Sequence, residues 1–276
     1  MDAEKKERIA HLVASLPIPY RLWAALETLA CMCQGKGYGA SSLHHEVQAA
    51  ASFLSSAPRC IVDVGANVGN YTQVWLDAVQ YADVSASVEC HLFEPSSANV
   101  STLQSRFSGL PNVHLYLLAL SDVSGVLPLY ANVPGSALGS LSPRDLAFLS
   151  IDMNLHEDVR VERFDRLVAS GLVDLSLHSE IDVLKIDVEG HELSVLRGLG
   201  DLIARVKLIQ FEFSSANLDT HSTFLNFWRF FEANHFMLFR VTPRGSMRIT
   251  HYDQSLENYR ICNVLAVASR ILKSFT

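Results

Sequence analysis

No stretch of this chain is apolar for long enough to cross a membrane. The best candidate, Leu22 to Met32, contains Glu27 and falls well short of the roughly 18 residues that a spanning helix needs. It leaves only peripheral contact with a membrane surface open. Cationic blocks are missing too. The 22 Lys and Arg are scattered, 29 Asp and Glu outnumber them, the formal net charge is −7 and the pI is about 5.9. That balance argues against nucleic acid as a partner. Cysteine is sparse and odd in number, with five residues at 31, 33, 60, 90 and 262. Cys31 and Cys33 have no second pair with which to complete a zinc site. Cys60 and Cys90 fall in strand-like runs, where a thiol acts as a small apolar side chain. Reduced thiols and a cytoplasmic location are therefore expected. The segment Met1–Arg8 mixes both charges and does not read as a signal peptide. There is no internal repeat and no low-complexity segment.

What is present is a hydrophobic fraction of 49% over 276 residues, enough for a sizeable core. The pattern predicts helices through residues 1–56, punctuated by Pro17, Pro19 and Gly35-Lys36-Gly37-Tyr38-Gly39. That segment is expected to be an N-terminal helical extension to a single domain over 57–276. From residue 60, strands and helices alternate. Strands are expected at Cys60–Val64, Val88–Phe93, Val113–Leu118, Ile181–Ile186, Val206–Phe213, Phe236–Val241 and Ile261–Ala268. Helices are expected at Tyr71–Val79, Ser96–Phe107, Glu189–Leu199 and Thr223–Ala233. Such alternation implies an α/β fold with a largely parallel sheet covered on both faces. The span 125–163 breaks the rhythm. Two short strands, Leu127–Tyr130 and Val159–Arg163, flank the polar loop Pro134–Ser140, which reads equally as a substrate lid or a surface hairpin. The aromatic helix Thr223–Phe231 reads as core, with a subunit contact and hence a homo-oligomer left open.

Two segments carry chemistry. In Cys60-Ile61-Val62-Asp63-Val64-Gly65-Ala66-Asn67-Val68-Gly69-Asn70 a buried strand breaks into a two-glycine loop and then a helix. Open α/β sheets hold nucleotide-like ligands at such a turn. Gly65 permits the sharp turn, and Gly69 permits a close approach of ligand or helix backbone. The dinucleotide fingerprint G-x-G-x-x-G is absent; its middle glycine, which lets a pyrophosphate near the backbone, is missing. Asp63 beside the loop disfavours phosphate and favours an ammonium group. The next strand ends in Glu94-Pro95, an acid placed to hold a ribose diol. The third leads into Leu120-Ser121-Asp122, which can meet an adenine or simply form an Asx turn. A structural turn without ligand remains the alternative for the loop taken alone.

The second segment is Asp182-Val183-Leu184-Lys185-Ile186-Asp187-Val188-Glu189-Gly190-His191-Glu192. Another buried strand ends in an acid, with three ionisable groups close behind. Clustered acids raise one another's pKa and support acid–base work. Together with Phe93-Glu94-Pro95, Ala119-Leu120-Ser121-Asp122 and Val161-Glu162-Arg163-Phe164-Asp165, these runs resemble the FkbM family of S-adenosylmethionine-dependent methyltransferases over roughly residues 40–268. The resemblance implies a Rossmann-like class I methyltransferase sheet of seven strands, the last antiparallel. It implies S-adenosyl-L-methionine as cofactor, with Asp63, Gly65, Asn67, Gly69 and Asn70 at its methionine end, Glu94 and Pro95 at the ribose, Leu120, Ser121 and Asp122 around the adenine, and Asp187 close by. It also implies O-methylation of a hydroxyl on a sugar, glycolipid or natural-product metabolite, that is, a small-molecule or carbohydrate acceptor.

His191 is the first candidate for a general base, because its pKa lies nearest neutral pH. Glu212 is the second, with Glu189 placed to orient the base or bind the acceptor. No ligand spacing demands a metal ion. The histidines at 11, 44, 45, 114, 156, 178, 221, 235 and 251 show no pairing. Two rival classes remain: a nicotinamide-dependent oxidoreductase on a similar sheet, and a non-catalytic methyltransferase-like binding module.

Overall fold

A computed structural model describes residues 2–15, 17–37, 42–82 and 88–272. Tyr38 and Gly39 of the glycine-punctuated stretch lie outside the described residues. In chain order the strands are β1 (Cys60–Val64), β2 (Glu89–Phe93), β3 (Val113–Tyr116), β4 (Ala119–Leu120), β5 (Gly125–Ala131), β6 (Leu155–Glu162), β7 (Ile181–Ile186), β8 (Val206–Phe213), β9 (Phe236–Thr242), β10 (Gly245–Ile249) and β11 (Cys262–Ala268). The helices are α1 (Ala3–Ala14), α2 (Tyr20–Cys33), α3 (Leu43–Ala51), α4 (Asn70–Ala82), α5 (Ser97–Arg106), α6 (Phe164–Ala169), α7 (Glu192–Gly198), α8 (Ala216–Asp219), α9 (Phe224–Ala233) and α10 (Ser269–Leu272).

The main sheet runs in the order β10-β9-β11-β8-β7-β1-β2-β3. The pairs from β3 to β8 are parallel, and β11 is antiparallel to both β8 and β9. The expected parallel sheet with an antiparallel last strand is therefore present, and it carries one strand more than the seven expected. The extra strand, β10, pairs with β9 through a two-residue turn at Pro243-Arg244, since Thr242 sits opposite Gly245. Its sequence, Gly-Ser-Met-Arg-Ile, is polar and mostly unburied. An edge strand needs no apolar face, which is why hydrophobic patterning overlooks it. The segment between β3 and β7 contributes a separate three-stranded sheet, β4-β6-β5.

β1, β7 and β11 are buried at every residue, as central strands covered on both faces must be. On one face α9 presents Phe224, Phe227 and Phe231, all fully buried. Phe227 and Phe231 stack on Phe211, with centroids 4.9 and 5.2 Å apart, and Phe224 meets Phe213 edge-on. Each such burial is worth about 2–3 kcal/mol. Thr223 and Asn226 form a reciprocal cap that starts the helix. On the other face α4 and α3 pack, with Trp75, Val47 and Ala50 in one cluster with Ile61 and Val183. The N-terminal helices thus differ: α2 buries no residue, whereas α3 is part of the core and sends Glu46 into it. No described helix is long and apolar enough to span a membrane.

Candidate active site

Strand tips converge because parallel strands all end on the same edge of the sheet. The ends of β1, β2, β4, β7 and β8 surround a cavity of about 470 Å³. Its floor includes Gly65, Asn67, Glu94, Pro95 and Leu120; one wall carries Asp187, Glu189, His191 and Glu212.

The glycine loop owes its shape to neighbouring backbone. Gly65 has φ +78°, and a Cβ there would lie 1.9 Å from the carbonyl oxygen of Asp187. The loop after β1 is thus pressed against the tip of β7. Asn67 also adopts a left-handed conformation, φ +50°. It aims its backbone N–H at Glu94 Oε2, 2.8 Å away. Glu94 Oε1 accepts from Ser96 N at 3.0 Å and Asn99 Nδ2 at 3.2 Å. Burial raises the Glu94 pKa against these three donors. Oε2 accepts from one protein donor and keeps lone-pair capacity for a ligand.

Several expected contacts are elsewhere. Asp63 is fully buried behind the loop, accepts Thr72 Oγ1 at 2.6 Å and is absent from the cavity wall. Burial pushes its pKa up to about 6. Gly69 makes room for packing rather than for ligand: a Cβ would meet the Phe107 ring at 2.5 Å. Asn70 faces outward and accepts from Arg106 Nη1 at 2.6 Å. Ser121 and Asp122 stand behind Leu120, off the cavity wall. The helix expected from Glu189 begins only at Glu192, because Glu189 and Gly190 adopt φ +52° and +100°. Glu192 holds that turn: its Oε1 accepts the N–H groups of Val188 (3.3 Å) and Gly190 (3.0 Å), and Asn217 Nδ2 donates to Oε2 at 3.1 Å. It is buried, and burial pushes its pKa up to about 7.

The acidic wall is the electrostatic centre. Burial, followed by the negative charge of Asp187 and Glu189, pushes Glu212 up to about 8. Lys185, 3% exposed, pairs with Asp187 at 2.9 Å and lies over the Tyr71 ring, 5.6 Å from its centroid. Burial works against its charge, but Asp187 and Glu46 outweigh it and raise the lysine's pKa. On the far side of the sheet, Glu46 accepts from Gln210 Nε2 at 2.5 Å, and Tyr71 Oη donates to Gln210 Oε1 at 2.9 Å. His191 is held by Ser121, whose Oγ lies 2.9 Å from Nε2. Against the opposing charge of Asp122, burial lowers its pKa, which favours the neutral ring.

The 125–163 insertion roofs the cavity with Leu129, Pro134, Ala137, Leu141 and Leu155. It is latched to the β7–α7 turn and to α8: Ser140 Oγ donates to the Glu189 carbonyl at 2.8 Å, and Arg144 reaches Glu189 Oε2 at 2.6 Å and Asp219 Oδ2 at 3.3 Å. Of the two readings of Pro134–Ser140, the loop over the site is the one observed. Arg144 and the structural part of Lys185 escaped sequence reasoning. Arg144 lies in no motif, and nothing in a lone arginine 45 residues from Glu189 signals their contact.

The donor set tests which groups fit. The lining includes five carboxylates (Glu94, Glu157, Asp187, Glu189 and Glu212) and neither Lys nor Arg. It suits a cationic ligand with hydroxyl groups and opposes a pyrophosphate. Oxygens of Asp187, Glu189 and Glu212 lie within 4.8 Å of one another. This all-oxygen set matches the preference of a hard divalent cation, although Lys185 and Arg144 already balance two of its members.

Comparison with known proteins is consistent with this geometry. The profile of the Methyltransferase FkbM domain matches residues 63–239, well over half of the chain. Methyltransferase 1 of Beauveria bassiana (strain ARSEF 2860) is 30% identical over 152 residues, 51% of this chain and 58% of that protein, so the match spans less than two thirds of the relative's length. Among solved structures, an O-methyltransferase from Bacillus cereus in complex with SAH has 12% identity and a TM-score of 0.41, covering 92% of this chain and 93% of that one. An rRNA methylase from Streptococcus thermophilus has 11% identity and a TM-score of 0.44, covering 84% and 98%. With the profile covering the glycine loop, the acidic wall and the insertion that roofs them, the chain belongs to the FkbM methyltransferase family.

Proposed function

We propose that the protein is an S-adenosylmethionine-dependent O-methyltransferase acting on a neutral hydroxyl compound: a sugar, a glycolipid or a natural-product metabolite. The observation that carries this reading is the charge of the cavity, five carboxylates with no Lys or Arg on its lining. A sulfonium and an ammonium group are attracted there; a dinucleotide's phosphates, and a phosphorylated acceptor, are repelled. The nicotinamide oxidoreductase alternative fails on that charge and on the family.

S-Adenosylmethionine, when bound, supplies a methyl group on a positively charged sulfur. The chain's own residues do the rest. Glu94 Oε2 would accept from the ribose hydroxyls with Pro95 beside it, Leu120 would lie toward the adenine, and Gly65 and Asn67 would hold the methionine end. Asp187 puts negative charge beside the acceptor pocket. The apolar roof, from Leu129 to Leu155, excludes water and takes the hydrophobic face of a glycoside. A hydroxyl must be held in line with the transferring carbon, and a base nearby must take its proton. His191 is assigned that role. With Ser121 Oγ donating to Asp122 Oδ1 (3.3 Å), His191 Nε2–H donates to Ser121 Oγ, leaving the Nδ1 lone pair available. Glu212, protonated near neutral pH, orients the acceptor by donation, and Glu189 holds the roof through Arg144.

The test combines binding and turnover. S-Adenosylhomocysteine should raise the thermal midpoint of the protein, and NAD should not. Labelled S-adenosylmethionine should pass its methyl group to neutral glycosides in preference to sugar phosphates, and His191→Ala should keep cofactor affinity while transfer slows at least a hundredfold. Binding without transfer to any acceptor fraction would identify a non-catalytic binding module and overturn the proposal.

A further inference from the structure

The end of β2 remote from the cavity carries a second cluster. Glu89 opens the strand and Glu94 follows it, so the two lie about 17 Å apart at roughly 3.3 Å per residue. Glu89 and His91 share one face of β2. His114 is the register partner of His91 on β3, and their rings stack at 5.0 Å. The segment between α6 and β7 lays His178 over the same face. Three imidazole Nε2 atoms surround one carboxylate: His178 at 2.5 Å from Oε2, His114 at 3.0 Å from Oε1 and His91 at 3.9 Å from Oε1. His114 and His178, which show no pairing along the sequence, thus meet His91 in space.

One atom sets this cluster apart from a plain ion-pair network. The side chain of His91 is 1% exposed, and its Nε2 has no hydrogen-bond partner. An unsatisfied buried nitrogen is costly, of the order of 1–3 kcal/mol, and natural cores avoid one without a reason. Its other nitrogen, Nδ1, lies 3.1 Å from Tyr116 Oη, which fixes the ring and aims Nε2 at Glu89. That is the outer-sphere support that metal-bound imidazoles receive.

We propose that Glu89, His91, His114 and His178 form a binding site for a borderline divalent metal ion, with zinc the best match to three imidazoles and one carboxylate. The site is independent of the methyl-transfer reading. Glu89 and Asp174 supply the negative charge that faces the three rings; Tyr116 is a further polar neighbour, and the Arg205 guanidinium donates to the His178 carbonyl at 2.6 Å. His114, whose side chain is 38% exposed, provides the route of entry. Bringing the nitrogens to about 2.0–2.1 Å from an ion requires rotation of Glu89 and His114, both in contact with solvent.

The experiment uses the full chain without a histidine tag, stripped with a chelator and titrated with cobalt(II) as the probe. The expected result is one equivalent bound with the strong visible absorption of a four-coordinate ion, displaced by zinc. Zinc should also raise the thermal midpoint. His114→Asn and His178→Asn, both at positions with solvent contact, should keep the fold by circular dichroism and weaken binding at least tenfold. Glu189→Gln should leave it unchanged. Three outcomes would overturn the proposal: no stoichiometric binding, a thiolate charge-transfer band pointing to Cys31 and Cys33, or loss of binding in Glu189→Gln but not in the histidine variants.

Discussion

Glu212→Gln offers the sharpest test of the acidic wall, because it needs no acceptor. Glu212 is pushed up to about 8 from an ordinary 4.5 by burial, then by the charges of Asp187 and Glu189. Between those values the folded protein holds a proton that the unfolded chain has lost. The stabilisation is therefore fully present below about pH 4.5 and is lost as pH rises through 8. At about 1.4 kcal/mol per unit the gap corresponds to nearly 5 kcal/mol. Partial solvation at the cavity mouth reduces this to an expected 2–4 kcal/mol, of order. Glutamine has the same shape and stays neutral at every pH. Urea unfolding of both proteins from pH 5 to pH 9 should show the variant gaining about 2–4 kcal/mol on the wild type across the range, with equal m-values. Asp63, also raised but absent from the groups that act on Glu212, is present in both proteins and cancels. A difference that stays flat with pH would refute the reasoning.

The other predictions separate support from contact. Asp63→Asn should leave S-adenosylhomocysteine affinity within about threefold by calorimetry, because Asp63 lies off the cavity wall, whereas Glu94→Ala should lower it tenfold or more. Equal losses in both would return Asp63 to the ligand. Gly65→Ala places a Cβ 1.9 Å from the Asp187 carbonyl at a left-handed φ, so a destabilisation of about 2 kcal/mol or more and a loss of cofactor binding are expected in thermal and calorimetric assays. Arg144→Ala frees the roof from Glu189 and Asp219. Once an acceptor is known, its KM should rise with cofactor affinity intact, and a change confined to cofactor binding would contradict the latch.

Much of the site is legible in the chain because its key residues sit at strand ends. Gly65, Glu94, Asp187 and Glu212 each follow or close an apolar run, and the parallel strands of the main sheet bring these ends to one edge, with Leu120 added from the smaller sheet. Local pattern says less about which way a side chain faces. Asp63 precedes its glycine by two residues and was expected at the ligand, yet strand alternation turns it toward Thr72. Glu192 reads as an acid of the site but braces a turn whose left-handed residues no helical period announces.

The sequence by itself determined the fold class, the strand that starts the site and the second acid-ended strand beside it, since hydrophobic period and glycine position are local properties. It also argued against a dinucleotide through a glycine that is missing. Tertiary structure alone decided the rest. It brought Arg144 over Glu189 and assembled three carboxylates, one of them paired with Lys185. It also gathered His91, His114 and His178 around Glu89. Those contacts join residues up to 89 positions apart, and burial then shifts their proton affinities, as no linear pattern can record.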